Sequence, residues 1–222
     1  MIRSGEFPVI APNVPAGSPL LTVPRAVAAV LRSCPAFARG VGGMAIDIVF
    51  ETHQWSEDND RGIATGWLAG RLSERGRADA HALGRARRSD RIEAVFTSDL
   101  GRAVETAELA FAGTTIPILH DWRLRECDYG DLNEMPVERL HADRLKHLDH
   151  PFPGGESWRQ AVGRAGRVLE DLPMRWNDCR VLIIGHVATR WALDHFLNGV
   201  PVEDLLATDF GWREEGWEYR LS

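Results

Sequence analysis

Two histidines, His53 and His186, stand at matching places in this chain, each directly after a short apolar run: AIDIVFE before the first and RVLIIG before the second. Runs of that length rich in Val and Ile read as buried strands, so both imidazoles are expected at strand ends. Arg102 opens a helix-forming stretch after another such run, RIEAVFTS. Three groups that carry or can take positive charge, at three strand ends, make an anion site. Attack on a phosphate monoester is the chemistry that needs one. The dianion repels nucleophiles, so a site must neutralise its oxygens, hold a nucleophile in line with phosphorus and protonate the departing oxygen. An imidazole with one nitrogen free and the other held by a hydrogen bond can attack, forming a phosphohistidine that water resolves. Glu126, in the loop after a further strand TIPIL, is the expected acid. A carboxyl group among apolar walls and other acids keeps its proton toward neutral pH.

The elements that must position these groups can be read in outline. Ser73 caps a helix expected to reach about Arg88, with the small Ala78, Ala82 and Ala86 and the larger Leu83 as its apolar positions. Ser98 and Asp99 supply capping oxygens for a second helix, AVETAELAFAG, with Gly113 as its stop. TIPIL, from Thr115 to Leu119, makes the third strand, and Pro136 suits the first turn of a helix to His147. From Ser157 to Leu172 the apolar spacing i, i+3, i+4, i+7 predicts one helix. VATRWALDHFLNG predicts a helix ending at Asn198-Gly199, and EGWEYRLS an edge strand. Strands alternating with helices predict an α/β fold, a three-layer α/β/α sandwich with a mostly parallel central sheet, in which ligands bind beyond the carboxyl ends of the strands.

Of 222 residues, 44% are apolar and 26% charged, which suits a globular protein with a real core. The net charge of −6 argues against a nucleic-acid partner, because neutralising a phosphate backbone needs a basic surface. Residues 1–43 differ from the rest. They hold six of the twelve prolines, four arginines and one acid, which predicts a disordered or loosely attached extension before a domain over 44–222. AVAAVL, from Ala26 to Leu31, is too short and too closely flanked by arginine for a membrane span or a signal peptide. Cysteines at 34, 127 and 179 form no CxxC pair and no even framework, which favours a reducing, cytoplasmic setting. Neither a cofactor nor a metal is expected, since no His or Asp pair has ligand spacing on one element. The expected partner is a small phosphorylated substrate; the reading leaves room for a homodimer. Trp158, Trp176, Trp191, Trp212 and Trp217 read as packing residues, and His141, His147 and His150 as a solvated face.

These residues also fall in order on the motifs of a known family. VFETHQWSEDNDRGIATGW resembles, without gaps, the first motif of the histidine phosphatase superfamily, also called phosphoglycerate mutase-like, with His53, Ser56, Asn59, Thr65, Gly66 and Trp67 in register. RLSERG resembles its Pro-Leu-Thr-Glu-x-Gly, SDLGRAVETA resembles the second motif and places Arg102, and LRECDYG resembles the acid loop and places Glu126. PGGES, from Pro153 to Ser157, and IIGHVATR, which carries His186, complete a resemblance spanning about residues 45 to 200. It implies a phosphoglycerate mutase-like fold with His53 as nucleophile, Arg102 as phosphate clamp, His186 as a second phosphate contact and Glu126 as proton donor. Asn59 would bind a phosphoryl oxygen, or make a turn. With Asn59, the residues Thr52, Thr65, Gly66 and Val187 would line the substrate side.

Three positions depart from the pattern. Thr52 replaces the family arginine before the nucleophile, Gln54 the glycine after it, and Val187 the glycine after the second histidine. The lost arginine costs two charge-assisted hydrogen bonds of roughly 1.5 to 3 kcal/mol each, or about 10² to 10⁴ in rate if nothing compensates. Arg61, Arg125 and Arg190 are the expected substitutes. The leading reading is a cofactor-independent phosphatase. A phosphate-ester binding or regulatory protein with little turnover is an alternative. A mutase is disfavoured because only 60 residues separate Glu126 from His186.

Overall fold

The structure, a computed structural model, describes residues 45–208, 210–213 and 215–222. The extension expected over 1–43 lies outside them. Five strands form the central sheet in the order β4-β3-β6-β1-β7: β1 (Ile46–Thr52), β3 (Ala94–Thr97), β4 (Ile118–His120), β6 (Arg180–Gly185) and β7 (Trp217–Leu221). β1 with β6, β6 with β3 and β3 with β4 pair in parallel, and β7 closes the β1 edge antiparallel. A two-stranded ribbon joins β2 (Ile63–Ala64) to β5 (Met135–Pro136).

Alternation along the strands builds the three layers. Ile48 and Phe50 of β1 and Val181 and Ile183 of β6 face Val168, Leu172 and Leu193, while Val49, Leu182 and Ile184 face the other way, against Ala103, Ala107 and Phe111. The first side is covered by α6 (Val168–Asp171) and α8 (Val187–Asn198), the second by α3 (Gly101–Ala110), with α2 (Glu74–Ala86) packed on α3. The remaining helices are α1 (Glu57–Asp60), α4 (Val137–Asp143), α5 (Trp158–Gly166), α7 (Pro173–Trp176) and α9 (Val202–Ala207). Among the described residues no helix is long and apolar enough to cross a membrane.

Several expectations are corrected. The helix from Ser73 stops at Ala86 and tightens into a 3-10 turn, Arg87–Ser89. Its buried side is Gly76, Ala80, Leu83 and Gly84, leaving Ala78, Ala82 and Ala86 exposed. The reason is a close approach of backbones: a Cβ on Gly84 would lie 2.0 Å from the Ala110 carbonyl oxygen and one on Gly76 1.9 Å from that of Trp55. Ser98 and Asp99 do not cap α3, which begins after Leu100 without a side-chain cap, because both side chains are taken elsewhere. The strand expected at TIPIL forms three residues later. Pro136 precedes α4 as its cap rather than standing in its first turn. The helix expected from Ser157 to Leu172 breaks at Arg167, whose carbonyl accepts from Arg123 Nη1 at 3.3 Å; its end at Leu172 is as expected, before Pro173, which lacks the donor a continuing helix needs. Trp158, Trp191 and Trp217 are buried as expected and Trp176 packs on the core, but Trp212 is 62% exposed.

Candidate active site

Parallel pairing brings the two histidines together. Thr52 of β1 lies opposite Gly185 of β6, and the His53 amide extends the ladder, donating to the Gly185 carbonyl at 2.9 Å. The next residue along β6 is His186, so the imidazoles meet with ring centroids 5.0 Å apart. Arg102, 3% exposed, reaches both: its Nε donates to His53 Nε2 at 3.2 Å and its Nη2 approaches His186 Nδ1 at 3.4 Å. Carbonyl oxygens of Gly66, at 2.9 Å from Nη2, and Leu68, at 3.4 Å from Nη1, hold the guanidinium in place.

Because a guanidinium only donates, these contacts fix the tautomers. His53 Nε2 must offer a lone pair, so its proton is on Nδ1, donated to the Gln54 carbonyl at 2.8 Å. His186 offers Nδ1 and donates from Nε2 to Ser98 Oγ at 2.7 Å. Burial, reinforced by the Arg102 charge, pushes His53 down to about 3 and His186 well below the usual imidazole range. Both rings are neutral at pH 7, and a neutral imidazole with a lone pair on an accessible nitrogen is the reactive form.

Glu126, 8% exposed, lies across the start of α8. Its Oε1 accepts from the amides of Cys127 at 2.8 Å and Ala188 at 3.2 Å, and its Oε2 from that of Val187 at 3.2 Å. Those donors and Arg102 favour the carboxylate, but desolvation outweighs them and Glu126 is raised above the usual carboxyl range. A brace holds the acid from behind. Its carbonyl accepts from Trp67 Nε1 at 2.6 Å and from Arg164 Nη2 at 3.0 Å. Arg164, 3% exposed, also donates to the carbonyls of Arg123 and Arg125 and pairs with both oxygens of Glu156 at 2.7 Å. Glu156 in turn accepts from the Asp128 amide at 3.2 Å.

The flanking residues have other partners. The amide oxygen of Asn59 accepts from the Ser56 backbone at 2.9 Å and its hydroxyl at 2.8 Å, a reciprocal cap of α1, which is the turn-making role. Thr65 Oγ1 donates to Asp58 at 2.8 Å. Gly66, at φ +55°, steers Arg102 through its carbonyl, and Val187 meets Glu126 through its amide. Thr52 lines a cavity beside His53. None of the three expected substitutes for the missing arginine hydrogen-bonds to either histidine: Arg61 pairs with Asp58, Arg125 with Asp99 at 2.6 Å over the Trp67 ring, and Arg190 with Asp194 at 3.2 Å and the Phe210 carbonyl. Ser98 was expected only as a cap and Glu156 only as part of PGGES, and Arg164 carried no expectation. Arg164 leaves a trace in the sequence, since a lone charge three residues after Ala161 on an otherwise apolar stripe marks a buried arginine in need of acceptors.

The histidine phosphatase superfamily, branch 1, matches residues 51–212. The chain belongs to that superfamily. It is 33% identical over 189 residues to a 2,3-bisphosphoglycerate-dependent phosphoglycerate mutase of Methylobacterium sp. (strain 4-46), spanning 78% of this chain and 90% of the relative. Among solved structures, Bacillus stearothermophilus YhfR superposes with a TM-score of 0.68 at 28% identity, covering 76% of this chain and 88% of that one. A mycobacterial glucosyl-3-phosphoglycerate phosphatase superposes with a TM-score of 0.62 at 25% identity, covering 73% and 84%. Relatives in the superfamily thus carry both phosphatase and mutase names. Since one named mutase is matched over 90% of its length, the short segment between Glu126 and His186 does not by itself separate the two activities.

Proposed function

We propose that the protein is a metal-independent phosphatase that hydrolyses a small phosphomonoester, in a reducing, cytoplasmic setting, through a phosphohistidine on His53. The observation that carries the reading is the lone pair of His53 Nε2 facing a buried guanidinium shared with His186. A phosphoryl group entering there receives the Arg102 donors that now rest on the two rings. His53 Nε2 forms the bond to phosphorus as the ester P–O bond breaks. The Glu126 proton passes to the departing oxygen, and Nδ1–H, held by the Gln54 carbonyl, carries the positive charge that develops on the ring. Water then attacks phosphorus and the N–P bond breaks. The water's proton returns to Glu126. Arg102 and His186 neutralise the oxygens in both steps.

The test uses the full chain without added metal and a chromogenic phosphate ester. Turnover that His53→Ala abolishes, in a variant that still unfolds cooperatively, supports the reading; undiminished turnover removes His53 from its role. Glu126→Gln keeps one acceptor for the backbone donors and should slow esters of poor leaving groups more than good ones, because only the former need the acid. The mutase-named relatives favour a second reading, transfer of the phosphoryl group to another hydroxyl rather than to water. It predicts interconversion of phosphoglycerates when 2,3-bisphosphoglycerate is supplied, whereas hydrolysis predicts release of inorganic phosphate.

A further inference from the structure

A cavity of about 850 Å³ opens beside the nucleophile, walled by Glu51, Thr52, His53 and Gln54 at the end of β1 and by one stripe of α2. That stripe, Arg75, Asp79, Ala82 and Ala86, follows helical spacing on a side of α2 that the core does not use, and Leu83, from the buried side, borders it. Two exposed alanines there leave space where larger side chains would fill it. The cavity is also lined by Trp55, Phe210 and Trp212, and Trp212 has no place in the core. Arg102, Glu126 and His186 do not wall it.

Its charges are already spent. Arg87 donates to Glu51 at 2.9 Å and Arg75 approaches Asp79 at 3.5 Å, so of the five charged residues in its walls two basic ones meet two acids and Glu215 is left over. A wall with one more acid than base repels a second anionic group, while alanine, leucine and three aromatic rings favour burial of an apolar one.

We propose that this cavity receives the alcohol part of the substrate, and that this part is an uncharged alkyl or aryl group rather than a second acid or phosphate. The inference rests on the phosphatase reading, and it concerns atoms remote from phosphorus. In-line attack by His53 starts the alcohol on the far side of phosphorus, so only a group long enough to turn back past the His53 ring gains from the cavity. Short alcohols end before reaching it. The site therefore selects by length and apolarity.

Alkylphosphonates test this without turnover, because their C–P bond is not hydrolysed. Calorimetric titration of the full chain with ethyl-, hexyl- and octylphosphonate should show affinity rising about fourfold per buried methylene for the longer chains. Ala82→Glu, at an exposed helix position that tolerates charge, and Trp212→Ala should each flatten that rise while leaving ethylphosphonate binding unchanged. Equal affinity for ethyl and octyl chains, or a rise that survives both substitutions, overturns the proposal. Length-dependent binding of the corresponding alkyl phosphates without phosphate release supports the cavity and overturns the phosphatase reading alone.

Discussion

At the scale of single residues, the site is a set of protons placed by donors that cannot accept. Arg102 has no acceptor atom, so its approach to both rings dictates which nitrogen of each is bare. His53 should therefore stay neutral far below the ordinary imidazole range. Its carbon-bound ring protons, followed by NMR, should hold their shifts from pH 8 to pH 5 and move only toward pH 3; a midpoint near 6.5 would contradict the arrangement. Ser98→Ala removes the acceptor for His186 Nε2–H in a fully buried place. Stranding that donor should cost about 1 to 3 kcal/mol, read by chemical denaturation, and no measurable loss would show that the bond contributes little. The four residues of the candidate site were legible because each stands in a recognisable motif, His53 and His186 directly after strands, Arg102 at the start of a helix and Glu126 in the loop beyond β4. Ser98 was legible as a motif residue but not in its role, since a serine before a helix reads first as a cap.

At the scale of elements, Glu126 depends on neighbours far away in sequence. The acid loop is tied to α5 by Arg164 and to the loop before it by Glu156, and Trp67 closes the set beneath Arg164 at 5.4 Å. Breaking a buried pair on one side leaves a charge uncompensated, at a cost of about 3 to 5 kcal/mol. Arg164→Met should show a destabilisation of that order in chemical denaturation and a further loss of kcat with poor leaving groups. A rate loss equal for good and poor leaving groups would show that the brace does not act through the acid. The helix α2 illustrates what the sequence hides. Its period was readable, but which side faces inward was set by Gly76 and Gly84 meeting backbone, a contact that apolar spacing does not register. The break at Arg167 is of the same kind, because the donor that takes its carbonyl comes from Arg123.

At the scale of the molecule, the order β4-β3-β6-β1-β7 makes the account possible, since it sets β6 between β1 and β3 and so gathers His53, His186 and Arg102 at three neighbouring strand ends. Alternation of strand and helix made the layers legible, whereas α1, α9 and the β2–β5 ribbon are too short to leave a periodic signal. Folding around neutral imidazoles also sets a pH dependence. Below about 6.5 the unfolded chain takes up protons that the half-buried His53 and the buried His186 refuse, so stability falls as pH falls through that window. Glu126, raised by burial, binds its proton more readily in the folded state above its ordinary value near 4.5 and works in the opposite direction. Glu51, also raised by burial, acts with Glu126, but between pH 7 and pH 5 the unfolded chain crosses the ordinary imidazole value and stays above the ordinary carboxyl value. The histidines therefore predict a lower Tm at pH 5 than at pH 7, and a Tm that rises on acidification would contradict this balance. The central claim, that His53 carries the phosphoryl group, has a more direct test. The full chain is quenched into alkali during turnover of a chromogenic phosphate ester, digested, and its phosphorylated peptide sequenced by mass spectrometry. The account predicts an acid-labile, alkali-stable phosphate on His53; phosphate on another residue, or steady turnover with none trapped on His53 even under rapid quench, would contradict it.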